Sequence, residues 1–144
     1  MKTKKIYLGA DHAGFKLKEA IKKYFDQKKI TYQDLGNYKF QPDDDYPDLA
    51  KKVAKKINKN NLGILICGSG QGMVMTANKF KNVRAALGYS IKAAGISRQD
   101  NDSNLLCLAG WFLTKKQALK IIEVWLNTSF SNLARHKRRV RKIN

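Results

Sequence analysis

Cysteine is scarce in this 144-residue chain: there are two, Cys67 and Cys107, each in or at the end of an apolar run. So few exclude a disulfide framework, and with no histidine cluster beside them they make a poor zinc site. Reduced thiols in a reducing compartment are expected. Missing too is any stretch near the roughly 18 consecutive apolar residues of a membrane span. Lys2, Lys4 and Lys5 run straight into a strand-like segment, without the apolar stretch of a signal peptide. A soluble, cytoplasmic protein is expected.

Acidic residues are also few. Eleven Asp and Glu stand against 29 Lys and Arg, for a formal net charge of +18. Taken alone, that excess suggests a polyanion partner such as nucleic acid. Its distribution argues otherwise. The arginines are Arg84, Arg98, Arg135, Arg138, Arg139 and Arg141. The other cations are lysines scattered through helix-like segments beside many Asn and Ile, as codon bias in an AT-rich genome produces. Planar, bidentate phosphate contacts suit arginine, and most of the arginines lie in one short stretch. Scattered lysines are ordinarily a solvated face, so nucleic acid is not the expected partner.

The length and 43% hydrophobic content fit one domain, residues 1 to 144, with a single core. Ile6 to Leu8, Leu62 to Cys67, Val83 to Leu87 and Leu105 to Ala109 are short, nearly continuous apolar runs, as strands covered on both faces require. Ile30 to Leu35 is a weaker, edge-like candidate. Between them, Leu17, Ala20, Ile21, Tyr24 and Phe25, then Tyr46, Leu49, Ala50, Val53, Ala54 and Ile57, repeat at three and four residues. Ala118, Ile121, Ile122 and Trp125 do so again, and a basic helix over about 131 to 142 closes the chain. Pro47 fits a first helical turn, Thr114 and Ser131 fit N-caps, and Gly36 or the Asp43 to Asp45 run marks a loop. No internal repeat or long linker is visible. Alternating strands and helices imply right-handed crossovers and a parallel sheet with helices on both faces, with ligands at the C-terminal strand ends.

Two such strand ends carry chemistry. GADHAGF, residues 9 to 15, puts Asp11 and His12 between the first strand and a helix; ordinary turn and capping chemistry would explain the pair equally well. ICGSGQGM, residues 66 to 73, puts Cys67 at a strand's last position, with Gly68, Gly70 and Gly72 opening the next helix. A Walker loop would end in Gly-Lys-Ser/Thr, and a dinucleotide turn would follow the first strand with an acid about 20 residues on; neither condition is met. The loop instead offers unobstructed backbone N–H groups able to hold a developing oxyanion, beside a thiol whose pKa such a position depresses. Those features suit enediolate chemistry, with Cys67 as the candidate base; Cys107, inside LLCLAG, reads as an inert buried residue. In the last helix Arg135, Arg138 and Arg139 share a face beside His136, suited to a phosphate or simply to solvent.

GADHAGF, ICGSGQGM followed by ANKF at 77 to 80, SRQDNDSN at 97 to 104 and RHKRRV at 135 to 140 together resemble type B ribose-5-phosphate isomerases. The superfamily also includes the galactose-6-phosphate isomerase subunits. The resemblance runs in order from about residue 5 to the end. It implies a Rossmann-like three-layer αβα sandwich on a five-stranded parallel sheet. It further implies a homodimer or dimer of dimers with shared active sites, and no metal or organic cofactor. The implied reaction is the pentose phosphate pathway's interconversion of D-ribose 5-phosphate and D-ribulose 5-phosphate through a cis-enediolate. A six-carbon phosphosugar, or a non-catalytic binding role, is the alternative.

Carried over by position, Cys67 would shuttle the proton between C2 and C1, while Gly68, Ser69, Gly70, Gln71 and Gly72 would form the anion hole. Asp11 would bond sugar hydroxyls, and Tyr46 would line the sugar site. His12, Arg135 and Arg139 would hold the phosphate, and Asn101 would reach in from the partner subunit. Two positions depart from the pattern. Asp100 stands where the family usually has a ring-opening histidine, and Trp111 where many members carry an arginine. A carboxyl whose pKa burial had raised would serve ring opening, so Asp100, or else His136, is the expected substitute.

Overall fold

The computed structural model describes residues 4 to 143; Lys2 lies outside them. In chain order the elements are β1 (Lys5–Ala10), α1 (Phe15–Lys28), β2 (Tyr32–Asp34), α2 (Tyr46–Ala54), β3 (Asn61–Cys67) and α3 (Gln71–Ala77). They continue with β4 (Ala85–Leu87), α4 (Ile91–Asn101), β5 (Leu105–Ala109), α5 (Lys115–Asn127) and α6 (Ala134–Arg141). The strands form one five-stranded sheet in the order β2-β1-β3-β5-β4, and every pairing is parallel. The expected three-layer α/β fold is present.

Strand alternation divides the core. Ile64 and Ile66 of β3 and Leu106 and Leu108 of β5 pack with Ile21 and Phe25 of α1 and Ile121, Ile122 and Trp125 of α5. The intervening Leu65, Cys67, Leu105 and Cys107 pack on the other side with Leu49, Val53 and Ala54 of α2 and Met73 and Ala77 of α3. Adjacent residues thus serve opposite layers, which is why β3 reads as an unbroken apolar run and is buried throughout. Each large aliphatic side chain so buried contributes about 1.5–3 kcal/mol. Both cysteines are free and buried, and no helix among the described residues is long and apolar enough to cross a membrane.

The boundaries carry local explanations. Pro47 sits in the first turn of α2, and Thr114 caps α5 in a reciprocal capping box with Gln117. Ser131 is not an N-cap: Leu133 takes that position, and Ser131 Oγ instead accepts from Leu133 N–H and pairs with His136 Nδ1. The basic helix is therefore shorter than expected. Helix α4 escapes the periodicity reading because it buries only Ala94 and Ser97, too few apolar positions to print a stripe. Its start is set by Ser90, whose side chain accepts from Ala93 N–H at 3.0 Å.

Candidate active site

Strand β1 has β2 on one flank and β3 on the other, and the successive crossovers, β1 to β2 through α1 and β2 to β3 through α2, run over opposite faces of the sheet. A crevice opens where such crossovers diverge, at the C-terminal ends of β1 and β3. Asp11 and His12 enter it from β1, and Cys67, Gly68, Ser69 and Gly72 from β3 and the loop after it. They border a cavity of about 320 Å³, with Tyr46 and Trp111 completing its wall.

Asp11 is buried and accepts from Gly14 N–H at 3.1 Å. Burial pushes its carboxyl above the usual range, and the Gly14 N–H and the His12 charge oppose that rise. Cys67 is buried at the end of β3, with Gly70 N–H directed at its Sγ at 3.2 Å. The depressed thiol expected at this helix start is corrected by the structure. Burial dominates and raises the Cys67 pKa above its ordinary 9.0; the N–H groups of Met73, Gly70 and Ser69 lower it, while the Asp11 carboxylate adds to the rise. Cys107, wholly enclosed, is pushed far higher.

The glycine loop is shaped by two aromatic rings. A Cβ on Gly68 would lie 2.5 Å from Trp111 ring carbons, and one on Gly72 2.2 Å from Tyr46 Cε1. Glycine at these positions lets the rings close on the backbone from two sides. Gly70 adopts a left-handed φ of 76° to open α3. Ser69 borders the cavity, and its Oγ accepts from Gln71 N–H at 3.3 Å. Gly70 and Gln71 themselves do not border the cavity. Trp111, 69% exposed, places no cation there; its backbone N–H donates to Gly68 O at 2.9 Å.

His12 is held by a residue that the sequence reading passed over. Asp44 Oδ1 accepts from the His12 backbone N–H at 3.1 Å and from its Nδ1 at 2.7 Å. An ionised carboxylate only accepts, so Nδ1 carries the proton and Nε2 is left for a ligand. The Asp44 hydrogen bond raises the His12 pKa above 6.5. Nothing in the run Asp43 to Asp45 singles out its middle member; only the fold does. Asp11, His12 and Asp44 bring ligand atoms within 4.8 Å of one another, and within that group Asp44 is the hydrogen-bond partner of His12 Nδ1.

The remaining predicted residues lie elsewhere. Asp100 and Asn101 end α4, which runs back from the C-terminal edge of the sheet, and Asn101 borders a larger cavity of about 740 Å³ beside Arg84, Ala85 and Ser103. That cavity lies at the opening residues of β4 and at Ser103, ahead of β5, and has no thiol comparable to Cys67. His136 is buried against α4, its Nε2 3.8 Å from Asp100 Oδ1; Arg135, Arg138 and Arg139 are exposed. The Asp100 side chain is 40% exposed, so its own chain does not supply the burial expected of a ring-opening acid. One chain therefore carries two groups of predicted residues at opposite ends of the sheet.

The chain matches the family model described as Ribose/Galactose Isomerase over residues 6–143. It is 36% identical over 138 residues to ribose-5-phosphate isomerase B of Mycolicibacterium paratuberculosis, covering 94% of this chain and 87% of that one. The crystal structure of ribose-5-phosphate isomerase B from Mycoplasma genitalium with bound ribulose-5-phosphate superposes with a TM-score of 0.93 at 42% identity, covering 96% of this chain and 93% of that one. The Thermotoga maritima ribose 5-phosphate isomerase gives a TM-score of 0.93 at 41% identity, covering 99% and 98%. Sharing its sequence pattern, topology and loop placement with these proteins, the chain belongs to the ribose/galactose isomerase family.

Proposed function

We propose that the chain interconverts D-ribose 5-phosphate and D-ribulose 5-phosphate through a cis-enediolate, as a cytoplasmic enzyme acting without a metal. The observation that carries this reading is the placement of Cys67 at the switch-point crevice, between Asp11 and the backbone of Gly68 to Gly72. On the open-chain aldose, the Cys67 thiolate removes the proton from C2. The C–H electron pair forms the C1–C2 double bond, and charge develops on O1 beside the loop's N–H donors. The thiol then returns its proton to C1, while the O2 proton passes to O1 and C2 becomes the ketone. Asp11 holds sugar hydroxyls, Tyr46 and Ser69 line the chain of carbons, and His12 directs Nε2 at the phosphate.

The pocket needs more cationic charge than His12 alone provides, because Trp111 supplies none. The separation of Asn101, Arg135 and Arg139 from Cys67 supports a site shared by two antiparallel copies, in a homodimer or dimer of dimers. Each copy then lends the far end of its sheet to its partner's crevice. In that arrangement Asp100 or His136 serves ring opening, with Asp100 buried by the partner instead of by its own chain.

The deciding experiment measures ribulose 5-phosphate formation from ribose 5-phosphate by wild type, Cys67→Ser and Cys67→Ala, with chelator present. Turnover that survives chelation and falls by orders of magnitude in both variants is expected. Activity retained in both variants overturns Cys67 as the base. Wild-type turnover of a six-carbon phosphosugar alone overturns the substrate.

A further inference from the structure

Lys18 is fully buried on the inner face of α1, among positions that are otherwise apolar. An ammonium taken out of water persists only where its donors are met. Lys18 Nζ donates to Asp34 Oδ2 at 2.6 Å and to the Asn37 carbonyl at 2.7 Å. Asp34 in turn accepts from Gly36 N–H at 2.9 Å, and Lys22 shares its Oδ2 at 2.9 Å. These bonds converge on the turn after β2. That turn is fastened to the end of β1 by Ala10 N–H on Gly36 O at 2.9 Å and by Asn37 N–H on Ala10 O at 3.1 Å.

The path continues into the active site. Asn37 Nδ2 donates to Asp44 Oδ2, and the other oxygen of Asp44 holds both the backbone and the ring of His12. The buried ammonium thus holds the Asn37 backbone, and the Asn37 side-chain amide holds the Asp44 carboxylate that bonds the imidazole. The Asn37 amide leaves Asp44 little freedom to rotate, so Oδ1 stays aimed at Nδ1. The charged groups facing His12 are Asp11, Asp43 and Asp44; only Asp44 bonds it.

We propose that Lys18 and Asn37 are positioning residues for the isomerisation, fixing through Asp44 the tautomer and direction of His12 at the substrate phosphate. This rests on the function proposed above. Neither residue borders the cavity. A displaced imidazole weakens a contact formed in the bound complex, so the effect falls mainly on KM.

The test titrates the His12 ring by NMR, identified by its loss in His12→Asn, in wild type, Asn37→Ala, Lys18→Met and Lys22→Met. The same proteins are assayed on ribose 5-phosphate. Asn37→Ala and Lys18→Met are expected to lower the His12 midpoint and raise KM roughly tenfold, with a smaller change in kcat. Lys22→Met also loses a bond to Asp34 but does not reach Asn37, and it should change neither. Wild-type midpoint and KM in Asn37→Ala overturn the proposal, including where Lys18→Met fails to fold. A midpoint that moves while KM and kcat stay fixed overturns the positioning role and removes His12 from the phosphate site. The titration needs no substrate, so a wild type inactive on ribose 5-phosphate would defeat the proposed function while the midpoints still decided the relay.

Discussion

Asp44 Oδ1 accepts two hydrogen bonds from one residue, the backbone N–H and the Nδ1–H of His12. The arrangement pins the loop before α2 to the loop after β1 and gives the ring a raised pKa. A group whose folded pKa is raised contributes stability that is fully present below its unfolded value, here 6.5. That stability is lost as pH rises through the folded value. Asp44→Asn should therefore cost most below pH 6.5, and the difference from wild type should shrink as His12 deprotonates. The partly exposed pair limits the pH-dependent share to about 1 kcal/mol or less. Thermal melts of both proteins between about pH 5.5 and 8.5, a range bracketing the free imidazole, would measure it; a deficit that grows with pH contradicts the pairing.

The thiol gives a second pH signature. Burial and Asp11 hold Cys67 above 9.0, so the thiolate fraction, and kcat/KM with it, should climb through the neutral range with no plateau below that value. Asp11→Asn removes the nearby negative charge and should shift the titration of Cys67 downward, even as lost hydroxyl contacts raise KM. The thiolate ultraviolet absorbance that Cys67→Ser abolishes reports this directly. A plateau near neutrality would mean that the loop N–H groups outweigh burial.

That contest also marks what the sequence makes legible. Apolar runs located β3 and β5 because both of their faces are covered, and the Gly-rich loop located the thiol. The sign of the Cys67 shift was not readable, since it depends on how deeply α2 and α3 bury the strand end. Asp44 was hidden in a run of three aspartates, and Lys18 looked like any helix-surface lysine until the turn at Asn37 closed over it. Helix α4 went unseen because it buries little beyond Ala94.

Gly68 and Trp111 make a steric prediction. Alanine at 68 would put its Cβ 2.5 Å from the indole, a distance no relaxed packing tolerates, so Gly68→Ala alone should destabilise by about 1–3 kcal/mol. Adding Trp111→Ala removes the obstacle and should recover most of that loss, a coupling that urea denaturation of the four proteins in the cycle would measure. Additive effects would mean that the ring swings aside at little cost.

The separation of Cys67 from Arg139 within one chain bears on assembly. If each site takes Cys67 from one copy and Arg139 from the other, then Cys67→Ala and Arg139→Ala each disable both sites of a homodimer. Mixing the two variants by refolding them together places both defects in one site of every heterodimer and leaves the other site intact. Random pairing makes half the dimers mixed, so activity should return to about a quarter of wild type. Neither variant alone gains from being refolded. A site built from a single chain has no such route, because every site in the mixture would still carry one defect. Recovery near a quarter therefore requires the two ends of the sheet to meet across a dimer, and the absence of recovery, with heterodimers demonstrated by mass, would overturn the shared site.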